Sequence, residues 1–138
     1  MLAEDKQGAV DRASALARPY DAYPEIWLGV FTRTRSLPYF RNEAILIDST
    51  GKVVWTFEKT YPVFGGESLV TIAGPGVVPM ADAPYGRLST VICNDMGYPG
   101  LLRQAAHTVP VPAITFVVGN EDRGRSGDRV WLPPDHLR

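Results

Sequence analysis

One stretch of the sequence, residues 87–106, constrains the fold of this chain more than any other. A short apolar run, Leu88 to Ile92, ends at the only cysteine of the protein, Cys93. A small polar turn follows, and Pro99 begins a segment with helical spacing that ends at Ala106. This pattern predicts a strand, a sharp turn and a helix, with a thiol at the turn. The N-terminus of such a helix is suited to stabilise negative charge on a nucleophilic sulfur or on an oxyanion.

Position alone leaves two interpretations of Cys93 open. The residue is either an activated nucleophile or a small buried hydrophobe, which is a common state of a free cysteine. A lone cysteine identifies no reaction without partner side chains. The rest of the sequence has to supply those partners.

Bulk composition narrows the class of protein. The chain has 138 residues, 45% of them hydrophobic and 21% charged, which predicts one globular domain. A formal net charge of −1 provides no basic surface, so we expect neither a nucleic acid partner nor contact with an anionic membrane. A single cysteine excludes an internal disulfide and suits a reducing compartment. Because the N-terminal residues are polar and no apolar run is long enough to span a membrane, we expect a cytoplasmic protein.

The first half of the chain predicts a helix, a strand and a hairpin. Residues 4–18 have helical spacing that Pro19 ends, and the expected buried face consists of Val10, Ala13, Leu16 and Ala17. Residues 26–32 form a nearly unbroken apolar run, which predicts a strand buried on both faces. Residues 43–57 contain two β-rich runs around a Gly-containing turn, which predicts a β-hairpin.

The second half is richer in Gly and Pro and predicts loops with short strands. The candidate strands are residues 69–72 and 77–80, the second at a sheet edge because proline cannot donate to a ladder. Residues 113–118 predict one more buried strand. Residues 119–138 lack periodicity and predict a loose tail, so we expect one partial domain over residues 1–118.

Three segments, in this order, resemble the nitrilase or carbon–nitrogen hydrolase superfamily. They are an Asn-led hairpin at 42–53, an aromatic-x-Lys and a Gly-Glu pair within 57–67, and the segment 85–103 with its Ile-Cys-x-Asp and Tyr-Pro. Their order and spacing together are more specific than any one motif. These motifs are similar both to those of soluble amidases and to those of the apolipoprotein N-acyltransferase branch, and the second branch would imply membrane association of a full-length parent protein. The resemblance covers residues 8–106 and implies an α/β fold, a partial four-layer α-β-β-α sandwich.

The resemblance also implies a chemistry, in which an acyl group passes from an amide, nitrile or ester to a cysteine and then to water or an amine. Cys93 matches the nucleophile, Lys59 matches the lysine that stabilises the tetrahedral intermediate, and Glu67 matches a glutamate that orients the lysine or the substrate. The amide of Asn94 would contribute to the oxyanion hole. Elementary chemistry asks for the same groups, since an ammonium stabilises the oxyanion and a carboxylate keeps the ammonium in place. Without the resemblance, Lys59 and Glu67 would be assigned as solvated loop residues.

The superfamily also uses a general-base glutamate that lies in an early Pro-Glu pair. Pro24-Glu25 is such a pair, but only residues 26–41 separate it from the hairpin, where the family has a helix and a further strand. We therefore expect that Glu25 is not the base and that this chain lacks one. Turnover should then be very low even where Cys93 can be alkylated, whereas robust amide hydrolysis would point back to Glu25.

Two functions of different classes follow from the sequence. The first is a truncated, weakly active acyl-transfer domain that takes a small-molecule amide, nitrile or acyl donor through an acyl-enzyme on Cys93. The second is a catalytically inactive fragment that acts as an interaction or assembly module, a homo-oligomer among the forms it could take. Neither His107 nor His136 lies near other ligands at metal spacing, so we expect no metal and no cofactor. A Cys93–His107 dyad is formally open, although a histidine at a helix end is more often structural.

Overall fold

The computed structural model describes residues 3–31, 38, 40–106 and 112–117. Its elements in chain order are α1 (Ala3–Tyr20), β1 (Glu25–Phe31), β2 (Phe40–Ile47), β3 (Val53–Glu58), α2 (Gly66–Val70), β4 (Met80–Ala83), β5 (Gly86–Ile92), a 3₁₀ helix (Cys93–Gly97), α3 (Pro99–Ala106) and β6 (Pro112–Val117). The first sheet, β1-β2-β3, is antiparallel, and in the second sheet β5 pairs antiparallel with β4 and parallel with β6. None of the helices within these ranges has the length and apolar character needed to cross a membrane.

Three apolar clusters stack these elements into four layers. The first joins α1 to β1 and β2, the second joins β2 and β3 to β5, and the third joins β5 to α3. Their buried members are Val10, Ala13, Ala17, Leu28, Val30, Ile45 and Ile47 in the first, Ala44, Phe57 and Ile92 in the second, and Val78, Val91, Leu101 and Ala105 in the third. The order is helix, sheet, sheet, helix. This confirms the predicted α/β class and the partial α-β-β-α sandwich.

Strand β2 lies at the centre of the layers and is covered on both faces. Its side chains alternate as strand geometry requires, so that Ile45 and Ile47 face α1 whereas Ala44 faces Ile92 of β5. Residues 42–47 are all buried. A slip of one residue would exchange the two faces, so burial of this kind specifies the register strongly.

The predicted hairpin is confirmed, with β2 and β3 joined by a turn at residues 48–51. The Asp48 carboxylate accepts hydrogen bonds from the backbone N–H groups of Thr50 at 2.9 Å and Lys52 at 3.0 Å. Gly51 has a φ of 85°, a left-handed conformation that glycine adopts without steric cost. Turn chemistry encoded in the sequence therefore sets this connection.

Helix α1 is confirmed, but two details of its prediction are wrong. Val10, Ala13 and Ala17 are buried, whereas Leu16 is exposed. Each helical residue advances by about 100°, which puts Leu16 about 120° around the axis from Val10 and outside the buried stripe. Pro19 does not end the helix, which continues to Tyr20. A proline in the last turn removes only one backbone hydrogen bond, so the helix tolerates it there.

The prediction of burial on both faces is wrong for β1. Trp27 on this strand is 45% exposed. In the part of the chain that the structure describes, β1 pairs with β2 alone and is an edge of the sheet. The apolar run identified the strand correctly, but its place in the sheet depends on partners from other parts of the chain.

Two other strand predictions also require correction. Residues 69–72 do not form a strand, because Gly65 at a φ of 102° turns the chain into the short helix α2 and only Thr71 makes an isolated bridge, to Phe40. The edge strand predicted at 77–80 begins at Met80, immediately after Pro79, which has no N–H to donate. The strand predicted at 113–118 is confirmed as β6, and the predicted tail 119–138 lies outside the described residues.

Candidate active site

Cys93 lies at a strained junction between β5 and the 3₁₀ helix. Its φ is 48°, in the left-handed region, which costs a non-glycine residue about 1–2 kcal/mol. The side chain is half-buried and packs against the cluster of Ala44, Phe57 and Ile92 between the two sheets. The predicted strand and the helix from Pro99 are confirmed, but a 3₁₀ helix rather than a simple turn connects them. Strained residues of this kind persist only where the surrounding structure holds them in place, and they cluster at active sites.

Asp95 supplies much of that hold. Its carboxylate is completely buried and accepts hydrogen bonds from the backbone N–H groups of Tyr61 at 2.7 Å, Thr60 at 3.2 Å and Ile92 at 3.4 Å. Burial raises the pKa of the Asp95 carboxyl above its ordinary value, although these hydrogen bonds act in the opposite direction. Sequence reasoning assigned Asp95 no role beyond its place in the Ile-Cys-x-Asp pattern. The structure shows that it joins the Cys93 junction to the segment after β3.

Two further contacts join the same segments. The Asn94 side-chain amide donates to the carbonyl of Tyr61 at 3.0 Å. The rings of Tyr61 and Tyr98 stack with their centroids 3.5 Å apart and an interplanar angle of 10°. The side chain of Asn94 therefore has a structural partner, while the predicted oxyanion contact of its backbone amide stays a prediction.

Lys59 is held in the same interior by its backbone. Its N–H donates to the carbonyl of Asn42 at 2.9 Å, and its own carbonyl accepts from Gly74 at 2.8 Å. A Cβ at Gly74 would lie 2.2 Å from the carbonyl oxygen of Glu58, so only glycine permits this close approach. Side chains two residues apart on extended backbone share a face, which puts Lys59 on the same face as Phe57. That is the face that packs in the cluster with Cys93.

Lys59 and Glu67 form an ion pair. The Lys59 side chain is 3% exposed, and its Nζ donates to both Glu67 oxygens, at 2.8 Å and 2.7 Å. Glu67 lies in the first turn of α2 and also accepts hydrogen bonds from the Val63 N–H at 2.7 Å and the Asn42 Nδ2 at 3.2 Å. Partial burial opposes ionisation of Glu67, but the hydrogen bonds and charge of Lys59, with the Val63 and Asn42 contacts, lower its pKa below the ordinary value. The structure thus brings together two of the three residues that the resemblance singled out.

Glu25 lies at the far end of the first sheet. It pairs with Leu46, whereas the residue that contacts Glu67 is Asn42, four positions earlier on β2. At a strand rise of about 3.4 Å per residue, this separates the two positions by about 14 Å along β2. The register separates Glu25 from the Asn42–Glu67 contact, and the expectation that Glu25 is not the general base stays a prediction. Residues 107 and 136, the two histidines, lie outside the described residues.

Across the described ranges there is no group of three or more His, Cys, Asp or Glu side chains that could hold a metal ion. What the described residues bring together is the buried Lys59 ammonium and its carboxylate partner, Glu67. Cys93 packs against the apolar cluster of Ala44, Phe57 and Ile92 between the two sheets. The layers define the class of fold, an α-β-β-α sandwich.

Comparison with known proteins identifies the family. The family model for carbon-nitrogen hydrolases matches residues 7–113, so the chain belongs to that family. Solved structures similar to the chain include an amidase from Nesterenkonia sp., with 21% identity, a TM-score of 0.63, and coverage of 83% of this chain and 43% of that one. A mutant of the amidase from Nesterenkonia sp. AN1 in which acrylamide has added to the active-site cysteine has 21% identity, a TM-score of 0.64, and coverage of 83% and 45%. A carbon-nitrogen hydrolase from Helicobacter pylori G27 has 19% identity, a TM-score of 0.66, and coverage of 82% and 38%.

These comparisons agree with the four-layer fold derived from the packing clusters. At this identity the similarity of the solved structures is one of fold. The chain spans less than half the length of each of the structures just described.

Proposed function

We propose that this chain performs the acyl-transfer step of a carbon-nitrogen hydrolase, with Cys93 as the nucleophile. The Cys93 sulfur attacks the carbonyl carbon of an amide, the carbon–nitrogen bond breaks, and the amine leaves with the proton that the thiol gave up. The product is a thioester on Cys93, which water or an amine then resolves. A nitrile or an activated ester would enter the same path at the attack on carbon.

The observation that carries the proposal is the buried ammonium of Lys59. A lysine side chain that is 3% exposed is rare unless it is paired, and here Glu67 is its partner, on the face that packs with Cys93. A fixed cation in a water-poor interior stabilises a developing oxyanion far better than one in solvent. In this proposal Lys59 stabilises the tetrahedral intermediate and Glu67 orients Lys59.

The same contacts support slow completion of the reaction. Glu67 already accepts hydrogen bonds from Lys59, Asn42 and Val63, and its lowered pKa makes it a weak base. Glu25 pairs with Leu46, which lies about 14 Å along β2 from Asn42, the residue that contacts Glu67. We therefore propose that Cys93 is acylated readily and deacylated slowly, which makes the domain weakly active. Because a nucleophilic thiol has to remain reduced, we propose the cytoplasm as its place of action.

The test is acetylation of the full chain by p-nitrophenyl acetate, followed by nitrophenolate absorbance and intact mass. We expect a burst of one nitrophenolate per chain, a stable acetyl group on Cys93 and then slow turnover. The burst should be faster than acetylation of N-acetylcysteine at the same pH. The Cys93→Ala variant should show no burst, Glu67→Gln a much slower one, and Glu25→Gln an unchanged one.

A rate no faster than that of the free thiol would remove the proposal. Fast steady hydrolysis that Glu25→Gln abolishes would keep the family chemistry but reassign the base.

A second function, an interaction or assembly module without catalysis, has one specific observation in its favour. Phe64 is 98% exposed, and Leu69, on the same loop and helix, is also exposed. Large exposed apolar side chains of this kind occur at protein–protein contacts. An inert Cys93 together with a concentration-dependent dimer in sedimentation velocity, abolished by Phe64→Ser, would favour this function over the first.

A further inference from the structure

We infer that Trp27 is a positioning residue of the site, which acts on Glu67 through Asn42. The inference rests on the proposed function for the part that concerns Cys93, but the contacts themselves are independent of it. Neither Trp27 nor Asn42 was assigned a chemical role from the sequence. Both lie on the first sheet, away from the Cys93 junction in the chain.

The contacts form a continuous chain across three elements. The indole N–H of Trp27 on β1 donates to the Oδ1 of Asn42 on β2. The Nδ2 of Asn42 donates to the Oε1 of Glu67 at 3.2 Å, and the same oxygen accepts from the Lys59 Nζ at 2.8 Å. In the antiparallel register Trp27 stands opposite Ala44, which makes Asn42 its diagonal neighbour on the same face.

Donor and acceptor chemistry gives this series of hydrogen bonds a direction. An indole N–H is only a donor, so it selects the oxygen end of the Asn42 amide. The NH₂ end is then turned towards Glu67, and Glu67 has to be an acceptor. Asn42 is itself buried, so its amide has no solvent to satisfy it in another orientation. Trp27 thereby favours the ionised form of Glu67, which is the form that holds Lys59.

Removal of the indole N–H should release this constraint. In Trp27→Phe the Asn42 amide is free to rotate and to present its oxygen to Glu67, which opposes two acceptors. The ring of Trp27 is partly exposed, so the replacement by Phe leaves the core packing largely intact. The expected result is a weaker hold on the Glu67 carboxylate, with the ion pair to Lys59 still formed.

The decisive measurement is the titration of the Glu67 side-chain carboxyl by ¹³C NMR on the full chain, with the signal assigned by Glu67→Gln. We expect Trp27→Phe to move the Glu67 midpoint upward, towards its ordinary value. Trp55→Phe is the matched control, because the indole N–H of Trp55 on β3 has no hydrogen-bond partner in the described structure, and it should leave the midpoint unchanged. An unchanged midpoint in Trp27→Phe would overturn the inference.

A second measurement protects the test against a variant that folds poorly. In the unmodified chain the indole N–H resonance of Trp27 should shift over the same pH range as the Glu67 carboxyl signal. That shift should disappear in Glu67→Gln. An indole N–H resonance that does not shift over the pH range of the Glu67 titration would contradict this series of hydrogen bonds, even if no variant could be purified.

The kinetic readout separates this inference from the proposed function. Trp27→Phe should slow acetylation of Cys93 by about fivefold, the equivalent of one neutral hydrogen bond. In an Asn42→Ala background the same change should have no further effect, because the path passes through Asn42. A fivefold loss in both backgrounds would overturn the inference. If Cys93 fails to react in every variant while the Glu67 midpoint still moves, the inference stands and the proposed function falls.

Discussion

Two Lys–Glu ion pairs involve neighbouring residues of β2, and they differ in which member is buried. One pair includes Glu43 of β2, and the other contacts Asn42 of β2 through Glu67. On the α1 side, the carboxylate is the buried member: Glu43 is 5% exposed and Lys6, at 2.5 Å, is 31% exposed. On the site side, the cation is the buried member: Lys59 is 3% exposed and Glu67 is 24% exposed. Lys6 is able to place its charge in water along a flexible stem, whereas Lys59 depends on Glu67 for its stabilisation.

This difference separates a structural ion pair from a candidate catalytic one. The Lys6–Glu43 pair joins α1 to the first sheet, next to the apolar cluster of those elements. The Lys59–Glu67 pair directs a positive charge into the interior between the sheets, where charge interactions are strong. The same two residue types thus serve different purposes because different members of the pair face the interior. Two experiments test that contrast, and a third tests the pH dependence of Glu67 alone.

The largest effect is expected from removal of each lysine in turn. Lys59→Met should slow acetylation of Cys93 by about 10²–10³-fold, the usual loss when an oxyanion stabiliser is removed. Lys6→Met should leave the rate within about twofold, because Lys6 is on the other face of β2. The measurement is the burst rate with p-nitrophenyl acetate. Equal losses in the two variants would mean that the contrast between the pairs has no catalytic meaning.

A smaller but clear effect is expected on stability when each carboxylate is neutralised. Glu67→Gln should lower the free energy of unfolding by about 3 kcal/mol, since it leaves the buried Lys59 charge without a partner. Glu43→Gln should cost about 1 kcal/mol, because Lys6 recovers its hydration. Urea unfolding at pH 7 gives both values. A larger loss of stability in Glu43→Gln than in Glu67→Gln would mean that Lys6, not Lys59, depends on its carboxylate partner.

The smallest effect is the pH dependence that belongs to Glu67. Its pKa is lower in the folded chain than its ordinary value of 4.5, so its contribution to stability is complete above that pH and is lost as the pH falls through the folded value. Asp95 acts in the opposite sense, because its raised pKa favours the protonated form in the fold and its contribution declines as the pH rises above 3.8. The difference in unfolding free energy between the unmodified chain and Glu67→Gln cancels the Asp95 term. That difference should shrink steadily as the pH falls below 4.5; a constant difference would contradict the prediction.

Local patterns in the sequence predicted most of the secondary structure. The turn residues from Asp48 to Gly51 identify the hairpin, and the apolar run before Cys93 identifies β5, because both depend on neighbours in the sequence. Local signals failed where distant partners decide. Leu16 is apolar yet exposed, since the buried stripe of α1 depends on which side meets the sheet. Residues 69–72 are β-rich, yet Leu69 and Val70 belong to the short helix α2, which begins after Gly65.

The site shows the same division. Lys59 and Glu67 are eight positions apart, and the family resemblance was enough to pair them before the structure showed their contact. Asp95 and Trp27 were missed as functional residues. Their partners, Tyr61 and Asn42, are 34 and 15 positions away, and no periodicity in the sequence connects them. The sequence signals that could have raised the question are an Asp two residues after the cysteine and a Trp in the apolar run before the Asn-led hairpin.

By itself, the sequence determined which segments extend or coil, where the chain turns, and which residue types are available for thiol chemistry, because propensity, turn preference and motif spacing act over a few residues. The tertiary structure alone decided which member of each Lys–Glu pair is buried, and how Trp27 and Asn42 connect to Glu67. Those outcomes depend on which faces of β2 meet α1 and β5. Burial sets the strength of every charge and hydrogen bond there, and burial is a property of the packed layers.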